Sequence, residues 1–387
     1  MTEAAGLSRF NRTAGALSGV AWLGIALFGL VVTAGVVELV GWYIGNGTTA
    51  SLSSGFAGIG DNWAPFRAAQ AFVHWLPPAG AYAGDPNNAH PLPQILLVFV
   101  PLVFLPVSLA RLIGSLACAL FSVAALRLWA GPSPAERRAV WPALLAPPLV
   151  QLVLIDHLQA ATGLAALSLA VWAQRRERWF LAGAAMAVAI ERPGSALPIL
   201  AMLAVASRGS PRRILAAVGG AAVVLVPICA ASFAWDPGWV SHYLDNLRGY
   251  RMAGVPLLAI EFGGSSAFIV MQIGLATLAA WLTVTGPRGP LDLDRAALVC
   301  GLSLLTTPEQ GLYSGIVLLP SLVRLGSRSG LSAAPWMLSG LAWLATLWLW
   351  PLLSGPSRGQ GIAWLTLISF GLLVGTFPLA RRTRISA

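Results

Sequence analysis

Charge is scarce in this chain, and negative charge is scarcer still. Only 10% of its 387 residues are Asp, Glu, Lys or Arg, 14 of them acidic, whereas 57% are hydrophobic. Soluble domains carry about 25% charged residues, so that class is excluded and an integral membrane protein is implied, as is the mean hydropathy of +0.75. Cysteine is nearly absent too. Cys118, Cys229 and Cys300 each lie in an apolar run without paired spacing, which excludes a disulfide or zinc framework. The histidines and carboxylates never fall into HxxxH or HExxH spacing, and the one DxD is Asp292–Asp294, so no metal site is implied. A cleavable leader is also missing: the first apolar run, residues 16–37, is span-length and lacks a small-residue cleavage site, so a signal anchor is expected. No separate soluble domain and no internal repeat can be discerned. The net charge of +10 does not indicate nucleic acid, because the arginines sit in short clusters between apolar runs. Such clusters mark cytoplasmic loops.

The apolar runs then set a topology. Residues 1–13, with Arg9 and Arg12, are expected inside, and the first span covers 16–44. Residues 45–91 form the first external loop. Two apolar runs follow in 92–130, broken at Pro106. If both crossed, Arg137, Arg138 and the cluster Gln174-Arg-Arg-Glu-Arg178 would lie outside, against the charge bias. Residues 92–105, with Pro93 and Pro101, are therefore expected to be re-entrant or surface-lying, which extends the first external region to 45–107. Spans are expected at 108–129, 140–155, 158–173, 179–190, 195–206, 214–234, 263–285, 295–306, 312–323, 335–351 and 361–379. That makes about twelve transmembrane helices in one polytopic membrane domain, 1–387, with both termini cytoplasmic. Basic clusters at 212–213, 288–295, 324–328 and 381–384 fall inside, and 235–262 is the second large external loop. Several spans are shorter than the roughly 20 residues a straight crossing needs.

This topology gathers polar groups on the external face. The sequence IGDNWAPFRAAQAFVHWL, residues 59–76, has helical spacing with Trp63, Phe66, Val73 and Leu76 on one side and Arg67, Gln70 and His74 on the other. That is the pattern of a short helix lying in the membrane interface. Asp61 at its start is either an N-cap meeting the positive end of the helix dipole or a general base held near a headgroup. Glu191 and Arg192 follow a short span; the arginine needs an anion, which is either its neighbour or a phosphate. His157 and Gln159 are helix-end groups or sugar contacts. Arg248 and Arg251 meet anionic headgroups or a substrate phosphate. Glu309 follows Pro308 in the first turn of a helix, where the dipole favours an acid, and Tyr313 lies beside it.

The order of these pieces is informative. DNWAPFRAAQAF precedes a GDP at 84–86 and the run HPLPQILLVFVPLVFLP. Then come HLQAATGLAALSLAVWAQRRERWFLAGAAMAVAIERPGSALP, SHYLDNL and TTPEQGLYSGIVLLPSL. In this order they resemble glycosyltransferase family 87, the polyprenyl-phosphate-sugar-dependent membrane mannosyltransferases of the GT-C superfamily. The resemblance implies an all-α GT-C-like fold in the cell membrane and an active site on the extracytoplasmic face. It also implies transfer of mannose from a polyprenyl-phosphate donor to a glycolipid or glycan acceptor, with no cofactor. In that family the acid of the first external loop is the catalytic base, and it maps onto Asp61. Arg192-Pro193 stands where the family has Lys-Pro. Glu309 stands where a His often follows the proline, and EFGGSS lacks the usual Asn/Gln-Ser step. The alternative reading is a transporter or flippase of a lipid-linked or anionic substrate. Such a protein is expected to carry polar groups at the bilayer midplane, whereas here they cluster at one face.

Overall fold

An apolar chain with few polar side chains must satisfy its own N–H and C=O groups, and the α-helix does so within one segment. The computed structural model describes residues 63–76, 93–131, 137, 140, 149, 158–191, 193–242, 244, 266–286, 289–306 and 316–328. These residues are helical throughout apart from turns, with no strand among them. In chain order the helices are α1 (Trp63–Val73), α2 (Pro93–Val103), α3 (Val107–Trp129), α4 (Leu158–Arg175), α5 (Trp179–Ala189), α6 (Pro193–Ala206), α7 (Pro211–Trp235), α8 (Ser266–Val284), α9 (Leu293–Thr306) and α10 (Leu319–Arg328). The expected spans at 16–44, 335–351 and 361–379, and nearly all of 140–155, lie outside the described residues.

Two stretches, Leu112–Trp129 within α3 and the whole of α7, are long and apolar enough to cross a membrane. Their outward faces are apolar as well. Leu112, Leu116 and Leu120 form an exposed stripe on α3, and Leu215, Val218 and Val226 do so on α7. Faces of this size are costly in water and cost nothing against hydrocarbon. By contrast α2 has 11 residues, about 16 Å at 1.5 Å per residue, half the thickness of a bilayer core. Pro106 separates it from α3, whose 23 residues reach about 34 Å.

One end of the bundle is fastened by polar bonds. Arg324 of α10 is buried and donates from Nε to Oδ1 of buried Asp294 at 2.8 Å, and from Nη1 to the carbonyl of Trp129 at 3.1 Å. This is a correction to the expected loop at 324–328: an arginine given a buried carboxylate and the negative end of α3 is stable inside a helix. Asp292 caps α9, accepting the N–H of Asp294 at 2.9 Å, so both carboxylates of the DxD are used in building the start of that helix. Buried Gln174 spends its whole amide on the segment before α9. Its Nε2 donates to Gly289 O at 2.7 Å and its Oε1 accepts from Leu291 N at 2.8 Å. Gly289 has φ +118°, which favours glycine. Arg213 bonds Glu177 at 3.1 Å. Through these bonds the ends of α3 and α4 meet the starts of α5, α7 and α9, and α10 joins them through Arg324. The arginine clusters of the described residues thus share one end.

Along the bundle, α5 and α7 run side by side from that end. Reciprocal glycines bring them close: a Cβ on Gly183 would fall on the Ala217 carbonyl, and one on Gly220 on the Phe180 carbonyl. Small residues at such a seam let two backbones approach and exchange Cα–H···O contacts. Elsewhere the core is mostly alanine and leucine, with Phe66, Phe99 and Trp129 as its large fully buried members. Trp129 Nε1 is satisfied by Ser168 Oγ at 2.7 Å.

Two outcomes are expected. Asp294→Ala leaves a buried guanidinium without its anion and should cost about 3–5 kcal/mol, while Asp294→Leu combined with Arg324→Met should recover most of that loss. Thermal unfolding of the detergent-purified chain measures both; a double variant as unstable as the single one would shift the anchoring role to the Trp129 carbonyl contact. Gly220→Leu should force α5 and α7 apart at a cost of about 1–3 kcal/mol or more. Gly274→Ala, which meets nothing within 4 Å, should be neutral or gain up to about 1 kcal/mol.

Candidate functional site

The end opposite the arginine clusters is assembled from α1, the starts of α3 and α4, the turn after α5, and the residues following α7. Helix α1 packs on α2, burying Phe66, Ala68, Ala69 and Ala71. The sequence places Val73 and Leu76 on the apolar side, but Leu76 is 52% exposed and Val73 half-buried. The reason is the way the helix stops. The N–H of Leu76 bonds the carbonyl of Ala71 at 2.8 Å and that of Trp75 bonds Phe72 at 3.2 Å, with Trp75 at φ +54°. This is a Schellman closure with tryptophan in the left-handed position, and it turns Leu76 off the helix face. Arg67 and Gln70 are half-buried and His74 is exposed.

Trp235, the last residue of α7, reaches this turn. Its Nε1 donates to the Leu76 carbonyl at 2.8 Å, and its ring meets Phe72 edge-on with centroids 5.6 Å apart. The segments expected as the first and second external loops are thereby joined at one place. The next residue, Asp236, is buried. Its Oδ1 accepts the Gly238 N–H at 3.1 Å and its Oδ2 lies 2.9 Å from His242 Nδ1. This contact holds the imidazole ring in one orientation. The side chain of His242 is 53% exposed.

The expected site residues fall into two groups. Arg67, Gln159 and Glu191 are described: Arg67 and Gln159 are half-buried, and Glu191 is buried in the turn after α5, its N–H on the Val188 carbonyl at 3.2 Å. All three belong to the end where Trp235 meets α1. Asp61, His157, Arg192, Arg248, Arg251, Glu309 and Tyr313 lie outside the described residues. Among the described residues no group of three His, Cys, Asp or Glu side chains could hold a metal. Asp236 went unremarked in the sequence, although an acid opening the turn Asp-Pro-Gly after an apolar run is a recognisable signal. Asp294 is marked in the sequence only as half of a DxD, because its partner Arg324 lies 30 residues away.

No family model, no curated protein and no solved structure matches this chain.

The joint between the two loops gives a direct expectation. Trp235→Phe keeps the ring contact with Phe72 but removes the N–H that holds Leu76. Amide exchange across 63–76 should then rise about five- to tenfold, as for one lost hydrogen bond of about 1 kcal/mol. Unchanged exchange would mean that packing on α2 alone holds α1.

Proposed function

We propose that the chain is a multi-pass membrane glycosyltransferase with about twelve spans and cytoplasmic termini, resembling glycosyltransferase family 87. In this reading it moves a sugar, mannose by the resemblance, from a polyprenyl-phosphate donor to a glycolipid or glycan acceptor. One observation carries the reading beyond the order of the motifs. The helix built from WAPFRAAQAFV, residues 63–73, is joined through Leu76 to the end of α7, at the bundle end remote from the arginine clusters. The charge bias puts those clusters in the cytoplasm. Arg67, Gln159 and Glu191, the described members of the proposed site, then lie at an extracytoplasmic end.

The chemistry is an inverting displacement. The acceptor hydroxyl hydrogen-bonds Asp61, whose carboxylate takes the proton as the oxygen attacks the anomeric carbon. The bond from that carbon to the phosphate oxygen breaks, and the polyprenyl phosphate leaves as an anion. Arg192, with Arg248 and Arg251, supplies the positive charge that stabilises it. Gln159, Glu191 and Arg67 contribute hydrogen bonds to sugar and acceptor. The lipid tail stays in the bilayer beside the short helices.

Asp61→Asn separates the two roles of that acid. Asparagine caps a helix about as well as aspartate, so a capping role predicts near-normal transfer. A general base predicts a loss of about 10²–10⁴-fold, because the amide takes no proton near neutral pH. The measurement is transfer of labelled sugar from a polyprenyl-phosphate donor to extracted membrane acceptors, normalised to folded protein. Retained activity in Asp61→Asn would remove the base from this mechanism.

A further inference from the structure

The arginine-rich end carries more positive charge than the fold uses. The turns between α4 and α5 and between α6 and α7 hold Arg175, Arg176, Arg178, Arg208, Arg212 and Arg213 against one acid, Glu177. These turns are brought together by the Arg213–Glu177 bond of 3.1 Å, and the same oxygen, Oε2, accepts the indole N–H of Trp179 at 2.9 Å. This carboxylate oxygen thus serves in fastening. Glu177 itself adopts φ +56° in a second Schellman closure, with Arg178 N on Ala173 O at 2.9 Å and Glu177 N on Gln174 O at 2.9 Å. The geometry of this corner is therefore set by the backbone.

The guanidinium groups are also placed. Arg176 and Arg178 both lie over the Trp172 ring, at 5.7 and 5.5 Å from its centroid, and Arg213 lies over Trp179 at 5.5 Å. A guanidinium stacked on an aromatic face keeps its edge N–H groups free for an oxyanion. Like charges crowd here: burial, then Arg324 and Arg176, disfavour the charge on Arg175, and Asp292 favours it. From Arg212 and Arg213 in its first turn, α7 continues into Ile214, Leu215 and Val218, all exposed. The start of α7 therefore carries cationic groups at the head of an apolar wall, and the Arg213–Glu177 bond ties the α4–α5 turn to it.

We propose that this corner binds an anionic phospholipid, with its phosphate between the rims formed by Arg176, Arg178 and Arg212 and an acyl chain along Ile214, Leu215 and Val218 of α7. Charge selects the headgroup, since a zwitterionic lipid brings an ammonium into a crowd of arginines. The wall selects a lipid over a free anion, because a phosphate without a chain leaves that surface uncovered. The inference rests on α7 facing hydrocarbon and is independent of the transferase reading.

The test uses the full chain in a non-ionic detergent, with thermal unfolding followed while dihexanoyl phosphatidylglycerol is added. Dihexanoyl phosphatidylcholine and inorganic phosphate serve as comparisons. Phosphatidylglycerol is expected to raise the unfolding temperature in a saturable way and the other two are not. Removing one of these arginines should weaken binding about fivefold, and the triple variant Arg176→Gln, Arg178→Gln, Arg212→Gln on the order of 100-fold. Arg213 is left in place because it fastens the two turns. If the triple variant does not fold, each single variant must still show its roughly fivefold loss. Equal stabilisation by phosphatidylcholine, a matching effect of inorganic phosphate, or undiminished binding in the variants would overturn the proposal. Sugar transfer, measured separately, reports on the transferase reading and leaves this result unaffected.

Discussion

The ion pair between Arg324 and Asp294 is the contact on which the arrangement of helices turns. Each charge would be very costly alone in an interior of alanine and leucine, and each makes the other tolerable. Because Arg324 also takes the Trp129 carbonyl, one side chain fixes the end of α3, the start of α9 and the body of α10. Gln174 extends the same fastening to α4 by bonding the segment just ahead of α9. With three helix ends and the body of α10 anchored at one level, the remaining short helices have to turn back at that level as well. The arginine clusters gather there as a consequence.

At the opposite end, contacts among the described residues include an indole N–H on a carbonyl, an edge-on ring pair, and a histidine held by Asp236. Aromatic rings rather than a buried ion pair bring the end of α7 onto α1 there. In the proposed reaction this end faces the acceptor.

Between the ends, small residues decide how the helices meet. Gly183 and Gly220 allow α5 to lie directly on α7, so an 11-residue helix is held along its length by backbone contact. Its outward neighbour α7 is left almost entirely apolar on the far side. The same pattern leaves the stacked arginines at the top of an apolar wall, which is the arrangement an anionic lipid fits.

Much of this architecture was legible in the sequence. Helices were expected at 108–129, 158–173, 179–190, 195–206 and 214–234, and the observed elements start and stop within three residues of those bounds. Hydrophobic run length and Pro or Arg punctuation are local signals, so they survive without tertiary context. The proline-bounded run 92–105 holds the 11-residue α2, and the short helix ahead of it is legible from its spacing. Other features had no local signature. Trp75 and Glu177 occupy left-handed positions where the sequence offers no glycine, because the following contacts outweigh the steric cost at each. The burial of Arg324 depends on groups 30 and 195 residues away. The hold of Trp235 on Leu76 spans 159 residues. The sequence alone therefore determined which segments are helices and where the positive charge collects, since both follow from side-chain chemistry within a few residues. Which helix ends meet, and which charges are buried, was decided by the tertiary structure, because those contacts exist only once distant segments have closed on one another.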